Sequence, residues 1–443
     1  MSDALPLPPH PNLEQYKKLA KDLQHACKSG DAGAIRDWAA RWTETLARLR
    51  GQAMAPESQR EIRGDIERVE RQWRKIQKTS EHVDRCTLAG AQFFVARCHG
   101  FASWPMFAKH LEALAHANSP VSKFELAADA IVNGDAATLA RLLKENPQLV
   151  RARSTREHRS TLLHYVSANG IEDFRQKTPN NIVEIANLLL ASGADVNAES
   201  DAYGGRSATL GLTATSCHPE DAGVQIPLME LLIDRGAIID GPDGGSAVVD
   251  SLRNGRVAAA EFFAKHGARL DLEGAAGVGR LDVVRSFFHQ DGSLRPPGTP
   301  KQMKDGFAWA CEFGRTAVVD FLVERGMELD ARLPHNGQTG LHWAAYGGHA
   351  STVKLLLERG AQVDAKDESF DGTPLGWAIY AWGNSSVKAG RGQYYEVVAL
   401  LVRAGAKLDS SWFEVDDEER RRTIQRLRAD PRMQAALGRE MQQ

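Results

Sequence analysis

Apolar residues recur along this chain at helical spacing, in segments that Gly and polar residues separate. Residues 13–29 and 58–78 each place apolar side chains three and four positions apart, which predicts two amphipathic helices. The second helix is strongly charged outside its apolar stripe, so we expect it to pack on the rest of an N-terminal bundle. A partner-binding coiled coil is the alternative, which the short stripe disfavours. The stripe consists of Ile62, Ile66, Val69, Trp73 and Ile76.

Residues 88–114 predict two more helices. Gly100 stops the first, Ser103 can cap the second, and Pro105 suits its first turn. A cluster of Pro residues at the start of the chain predicts an extended leader over residues 1–11. We therefore expect an N-terminal helical domain over residues 12–118.

From residue 123 onward, one phrase recurs with a period near 33 residues. A helix rich in small residues ends in Gly and a polar residue, an apolar helix follows, and the unit closes on Gly-Ala-x-x-Asp. The clearest copy, over residues 336–364, reads NGQTGLHWAAYGGHASTVKLLLERGAQVD. About eight units can be counted, and the clearest endings begin at Gly193, Gly236, Gly267, Gly326, Gly360 and Gly405.

The copy at residues 336–364 closely resembles the ankyrin-repeat consensus. The resemblance implies an all-α ankyrin-repeat solenoid of about eight helix-turn-helix units over residues 123–412. Polar capping helices are expected over residues 413–443, because a repeat array must cover its last apolar face. Residues 88–114 resemble a module that precedes ankyrin repeats in bacterial proteins, which implies a bacterial origin.

Two features that recur at one position of the unit are expected to be structural. In the family, the His of the Leu-His element bonds the backbone between turns, which applies here to His164 and His342. Aromatic residues follow at the next position and are expected to pack in the core, where they bury a large apolar area. They are Tyr165, Trp309, Trp343 and Trp377.

Composition removes several classes of function. Lys and Arg total 55 against 57 Asp and Glu, a formal net charge of -2, so no overall field favours nucleic acid or an anionic membrane. Without a signal peptide or a run of about 18 apolar residues, we expect a cytoplasmic protein. No C-x-x-C pairing occurs, so we expect reduced thiols, no metal and no cofactor. The cysteines are Cys27, Cys86, Cys98, Cys217 and Cys311.

Three units are longer than the period allows, and in each the extra residues fall between the two helices. The inserts are residues 171–181, 217–225 and 382–394. We expect them along one edge of the array, with the first two in contact because their units are adjacent. Insertions in repeat arrays often mark the functional face, although a surface loop also lengthens at little cost.

The first two inserts suggest an enzyme as the second hypothesis. His218 would act as acid, base or ligand, with Asp173 or Asp221 orienting it. Arg175 or Lys177 would hold an anionic group of a small-molecule substrate. The chain has no phosphate loop, nucleophile elbow or H-E-x-x-H motif, and a surface turn explains the second insert equally well.

The favoured hypothesis is a binding module that holds a protein, peptide or small ligand in the concave groove that the resemblance implies. In the family, ligand contacts come from the end of each inner helix and from the finger tips. Tyr, Phe and Arg suit recognition surfaces, although an ordinary solvated face is the alternative. A scaffold built on the N-terminal bundle is the third possibility. The groove positions are Arg253, Asn254, Glu312, Phe313, Tyr346 and Tyr380, with His335 on one finger.

Overall fold

The computed structural model describes residues 4–31, 33–50, 56–79, 86–241, 245–333, 337–384, 393–408 and 418–438. The chain divides into two compact units, Met1–Ile239 and Asp240–Gln443, called here the first and the second unit. Helices dominate both, which confirms the predicted all-α class. No helix in the described ranges is long and apolar enough to cross a membrane.

The first unit begins with five helices around an aromatic core. The ring of Tyr16 lies edge-on to the rings of Trp42 and Phe107, at centroid distances of 5.1 and 4.9 Å. Asn12 caps the first helix by accepting a hydrogen bond from the Glu14 amide at 2.9 Å. The helices are α1 (Leu13–Lys28), α2 (Ala34–Leu49), α3 (Pro56–Thr79), α4 (Leu88–Cys98) and α5 (Trp104–Leu114).

Four of these helices match the predictions from the sequence, and α2 was not predicted. As predicted, Ser103 is the N-cap of α5, and a Pro lies in that helix's first turn. The buried Trp38, Trp42 and Leu46 recur every four residues along α2, so the same periodicity could have found it. The predicted limit between residues 118 and 123 falls inside the first unit, and the predicted domain boundaries stay a prediction.

Two of the five cysteines form a disulfide. Cys27 at the end of α1 bonds to Cys86 just before α4, with their Cα atoms 5.5 Å apart. The expectation of reduced thiols was therefore wrong for this pair. The two residues are 59 positions apart, and no local motif joins them. Cys98 and Cys311 are buried free thiols, and Cys217 is an exposed one.

Three repeated helix pairs complete the first unit. They are α6 (Pro120–Val132) with α7 (Ala136–Glu145), the 3-10 helix η2 (Leu162–Ser167) with α8 (Ile182–Ala191), and α9 (Thr209–Thr215) with α11 (Gln225–Asp234). Between them lie η1 (Pro147–Arg151), η3 (Asp173–Arg175), η4 (Ala202–Gly204) and α10 (Cys217–Asp221). Strands β1 (Glu199–Ser200) and β2 (Ser207–Ala208) pair antiparallel, with Glu199 opposite Ala208.

The second unit contains five helix pairs in its described part, followed by two helices. The pairs are α12 (Ala247–Arg253) with α13 (Val257–Lys265), α14 (Leu272–Gly277) with α15 (Leu281–Ser286), α16 (Pro300–Glu312) with α17 (Thr316–Glu324), α18 (Gly340–Tyr346) with α19 (Ala350–Glu358), and α20 (Pro374–Gly383) with α21 (Tyr394–Arg403). Helices α22 (Glu418–Ala429) and α23 (Pro431–Ala436) follow, and their Leu427 and Met433 join the core of the repeats.

The Gly-Ala-x-x-Asp phrase links neighbouring helix pairs through its last residue. Gly360 has a φ of 91°, a left-handed conformation that ends α19 without the steric cost of a side chain. Two residues after Gly360, the backbone N–H of Gln362 donates a hydrogen bond at 2.9 Å to Asp330, which ends the phrase of the preceding repeat. The same bond recurs from Lys407 to Asp364 at 3.3 Å, from Arg269 to Asp240 at 2.7 Å, and from Ile238 to Asn197 at 2.9 Å.

The recurring histidines are structural, as expected. Nδ1 of His342 lies 2.9 Å from the Thr339 hydroxyl, and its Nε2 donates to the backbone oxygen of Gly372 at 3.0 Å. His164 makes the equivalent contacts in the first unit. Burial lowers the pKa of His164 to about 4, so the ring is neutral near pH 7 and serves the backbone rather than acid-base chemistry.

Candidate functional site

Six aromatic side chains lie on α16, α18 and α20 of the second unit or, for Phe313, directly after α16. Each helix contributes a pair of these side chains. The two members of a pair are three or four positions apart in sequence, a spacing that places both on one side of a helix. The ring centroids of Trp343 and Trp377 are 6.0 Å apart, and those of Tyr346 and Trp377 are 5.5 Å apart. We call this surface the aromatic face; it consists of Trp309, Phe313, Trp343, Tyr346, Trp377 and Tyr380.

The aromatic face is partly open to water. Trp309 is buried, as predicted for the aligned aromatic residues, but Trp343 and Trp377 are only partly buried. Tyr380 is 37% exposed, and Phe370 on the adjacent turn is 67% exposed with its ring 6.3 Å from that of Trp377. The expectation of pure core packing was therefore too simple for the last two units, where the rings also form surface.

Glu312 lies beside these rings as the last residue of α16. Among the described residues, its carboxyl group makes no hydrogen bond and no ion pair. Burial raises the pKa of Glu312 to about 8. Burial also raises the pKa of Tyr346, and the charge of Glu312 adds to that rise, so the two groups are electrostatic neighbours. The backbone oxygen of Glu312 accepts a hydrogen bond from Nε2 of His349 at 2.8 Å, which anchors this helix end.

The predicted groove positions nearer the start of the second unit already have partners. Nη2 of Arg253 lies 3.3 Å from Oε1 of Glu273, and the same oxygen accepts a hydrogen bond from Nε1 of Trp309 at 3.1 Å. The exposed Asn254 donates to the backbone oxygen of Asp250 at 2.9 Å, within its own helix end. His335 lies outside the described residues.

The first insert is built around Arg175, which is buried rather than available to a ligand. Its Nη1 lies 2.8 Å from Oε2 of Glu125, and its Nη2 lies 2.7 Å from Oδ1 of Asp129. Both carboxylates belong to α6 of the preceding helix pair. The sequence suggested that Arg175 holds an anionic group of a substrate. The structure corrects this hypothesis, because carboxylates inside the protein already pair with the charge of Arg175.

A second arginine completes what we call the buried ion cluster, formed by Glu125, Asp129, Arg156, Glu172 and Arg175. Arg156 Nη1 lies 2.7 Å from Glu125 and 2.9 Å from Glu172, whose side chain is fully buried. Burial by itself would raise the pKa of Glu125 and Glu172, but the two guanidinium groups outweigh it and hold both pKa values below the usual range.

The remaining insert residues contact other parts of the described chain. Asp173 is exposed and lies 2.9 Å from Nη1 of Arg68 on α3. His218 is partly buried on α10, and Asp221 is exposed at its end. Gln225 holds the second insert to α9 by donating to the backbone oxygen of Thr213 at 3.0 Å. None of these contacts links the two inserts, so the shared pocket stays a prediction.

A cavity of about 410 Å³ lies beside the first insert. Asp173, Phe174 and Lys177 line it together with residues of α2 and α3, including Leu46 and Arg68. The third insert is largely outside the described residues: α20 runs to Gly383, α21 begins at Tyr394, and residues 385–392 are not described. Within the described ranges, no group of three His, Cys, Asp or Glu side chains is arranged to hold a metal ion.

The helices form successive pairs, a Gly in the left-handed conformation ends a pair, and an Asp side chain accepts a backbone hydrogen bond from the next pair. These features define a helical-repeat protein. The family described as ankyrin repeats (3 copies) matches residues 272–367 and 307–411, so this part of the chain consists of ankyrin repeats. Among solved structures, the human ASB11 ankyrin repeat domain is 20% identical, covering 60% of this chain and 96% of that chain, with a TM-score of 0.28. A search of curated proteins finds no match. Ankyrin repeats generally mediate protein binding, which supports a binding role.

Proposed function

We propose that the second unit binds a segment of a partner protein on its aromatic face. The observation that carries this proposal is the set of adjoining rings on three successive helix pairs, together with the exposed Phe370 and Tyr380. Aromatic side chains contribute much of the binding energy at protein interfaces, because they bury a large area and lose few rotamers.

The dimensions of the aromatic face favour a polypeptide over a small ligand. Neighbouring packed helices lie about 8–10 Å apart, so the ends of three of them span roughly 20 Å. An extended chain rises about 3.3 Å per residue, so about six residues would cross the face. Such a segment would meet Phe313, Tyr346 and Tyr380 in turn. Arg253 and Asn254 lie on α12, two helix pairs before α16, and belong to the proposal as positions for a longer partner.

The test uses peptides selected from a random 12-residue display library on the full-length protein. Affinities of the selected peptides are then measured for the wild type, for Tyr346→Ala with Tyr380→Ala, and for Ile238→Ala. Ile238 is 64% exposed in the first unit and controls for the loss of an exposed apolar side chain elsewhere. We expect the double variant to bind at least about thirtyfold more weakly, with an unchanged melting temperature. Peptides that bind all three proteins equally would contradict the proposal.

The enzyme hypothesis retains one supporting observation, the cavity lined by Asp173 and Lys177 beside the first insert. A screen of small metabolites by thermal shift, with wild type, Lys177→Ala and His218→Ala, tests it. A ligand whose stabilisation depends on Lys177 would support a small-molecule site there. A ligand that stabilises all three proteins alike would bind elsewhere.

A bacterial source and a cytoplasmic location belong to this proposal. The source rests on the resemblance of residues 88–114 to a bacterial module. The disulfide between Cys27 and Cys86 counts against the location, because disulfides are rare in reducing compartments. Alkylating free thiols in intact cells before lysis tests it: alkylated Cys27 and Cys86 indicate the cytoplasm, and a preserved disulfide indicates an oxidising compartment.

A further inference from the structure

We propose that the aromatic face receives a positively charged side chain, Lys or Arg, of the partner segment, and that Glu312 pairs with it. This inference rests on the proposed function and adds the chemical class of the partner. It is carried by the missing partner of Glu312, by the helix ends around it, and by the neighbouring rings.

The first observation is that Glu312 differs from the other acidic side chains beside the aromatic face. Glu273 accepts a hydrogen bond from Trp309 and pairs with Arg253. Asp367 accepts hydrogen bonds from Nε1 of Trp377 and from the backbone amide of Ser369, both at 2.9 Å. Glu312 has no such partner among the described residues. Glu312 is half-buried, and a carboxyl group that has lost part of its hydration without gaining a partner is destabilised, so a bound cation would gain more here than at a paired acid.

The second observation is the set of helix ends at this place. Glu312 is the last residue of α16, Tyr346 is the last residue of α18, and Tyr380 lies in the last turn of α20. The carbonyl groups at a helix C-terminus carry a partial negative charge, which disfavours a carboxylate and favours a cation. Three such ends therefore favour a cation on an otherwise apolar surface, and Glu312 adds a negative charge once it loses its proton.

The third observation is the chemistry of the rings. An ammonium or guanidinium group is attracted to the face of an aromatic ring within about 6 Å of its centre. Phe313 follows Glu312 in the chain, and Tyr346 is its electrostatic neighbour. A metal ion would need several oxygen ligands, which one carboxylate among aromatic rings does not provide. The set of groups therefore fits an organic cation on a flexible stem.

The protonation of Glu312 provides a second way to observe the cation. Because burial raises its pKa to about 8, the free protein carries this group mostly protonated at pH 7, and an incoming cation must displace the proton. The other titratable or charged groups nearby are His349, Tyr346, Tyr380 and Arg315. Arg315 already pairs with Glu261 at 2.6 Å. Burial lowers the pKa of His349, so that ring is neutral at pH 7.

The experiment starts from peptides selected on the full-length protein and compares each Lys- or Arg-containing peptide with a version that carries Met instead. We expect the Met version to bind the wild type at least tenfold more weakly, and Glu312→Gln to bind both versions within about twofold. Calorimetry at pH 7 in buffers of different ionisation enthalpy should find a proton released on binding to the wild type and none for Glu312→Gln. Glu358→Gln, an exposed acid on the second helix of the same repeat, should behave as the wild type.

The outcomes separate this inference from the function on which it rests. If the binding of the selected peptides depends on Tyr346 and Tyr380 but the peptides share no basic position, the inference of a bound Lys or Arg is wrong and the proposed binding face still holds. Selected peptides that need neither tyrosine would overturn both. The comparison of Lys with Met peptides uses the wild-type protein alone, so it remains decisive if Glu312→Gln folds poorly.

Discussion

Two regions of this protein remove glutamates from water, and they do so in opposite ways. In the first unit, Glu125 and Glu172 are buried together with two arginines. In the second unit, Glu312 is half-buried beside aromatic rings and has no partner in the described part of the chain. A buried acid must be either neutralised by a cation or protonated. The first region is therefore complete as it stands, and the second gains a partner only from outside.

The two regions also respond to pH with opposite signs. The folded-state pKa values of Glu125 and Glu172 are lower than in an unfolded chain, so their stabilisation is present above the ordinary pKa and is lost as pH falls below it. The pKa of Glu312 is raised, so the folded state holds a proton that the unfolded state has lost. Stability from that group therefore falls as pH rises from about 4.5 to about 8.

The largest expected effect comes from removing one arginine of the buried ion cluster. Arg156→Met leaves Glu125 and Glu172 with one guanidinium group, that of Arg175, instead of two, and breaking a buried ion pair costs about 3–5 kcal/mol. Urea unfolding followed by circular dichroism at pH 7 measures the loss. Arg141→Met is the control, because Arg141 pairs with Glu145 on the surface, where such a pair contributes about 0–1 kcal/mol. Equal losses for the two variants would remove the distinction between a buried cluster and a surface pair.

The next effect compares the same substitution in both regions. Glu172→Gln removes a charge that faces two arginines, and we expect a loss of about 2–3 kcal/mol at pH 7. Glu312→Gln replaces a carboxyl group that is mostly protonated at pH 7 and has no partner in the described chain, so no loss is expected. Urea midpoints of the two variants test this directly. A clear loss for Glu312→Gln would mean that its carboxyl group serves the fold, which would break the comparison.

The sequence predicted the recurring parts of this fold and little of what distinguishes its two regions. Gly360 and Asp330 occupy recurring positions of the repeat phrase, so the period alone identified them. The ion cluster joins residues far apart in sequence, such as Glu125 and Arg175, which are 50 positions apart, and no pattern along a chain reveals such a contact. The disulfide likewise joins two residues that are far apart in sequence. Glu312 was predicted as a groove residue because of its position in the repeat. Its lack of a partner among the described residues could be found only from the three-dimensional structure.

The positions of the three inserts could be predicted from the period, because extra residues stand out against a fixed repeat length. Their role did not follow, since a charged insert such as residues 171–181 looks the same in sequence whether its side chains face solvent or turn inward. Arg175 turns inward and Lys177 stays exposed, although they are only two residues apart. Burial therefore decides which insert residues a ligand can reach.

The smallest expected effect is the pH dependence that belongs to Glu312 alone. Between pH 5 and pH 9 the wild type should lose stability relative to Glu312→Gln, because only the wild type must hold a proton or bury a charge as the solution becomes alkaline. One pKa unit corresponds to about 1.4 kcal/mol, and water that reaches this partly exposed group reduces the effect, so we expect a difference of about 1 kcal/mol. Parallel urea titrations across this range measure it, with Glu358→Gln as the control. If the wild type and Glu312→Gln keep a constant difference from pH 5 to pH 9, the carboxyl group is ionised in the folded protein throughout. Water or a cation then already stabilises its charge, and the opposite pH response that separates Glu312 from the buried ion cluster disappears.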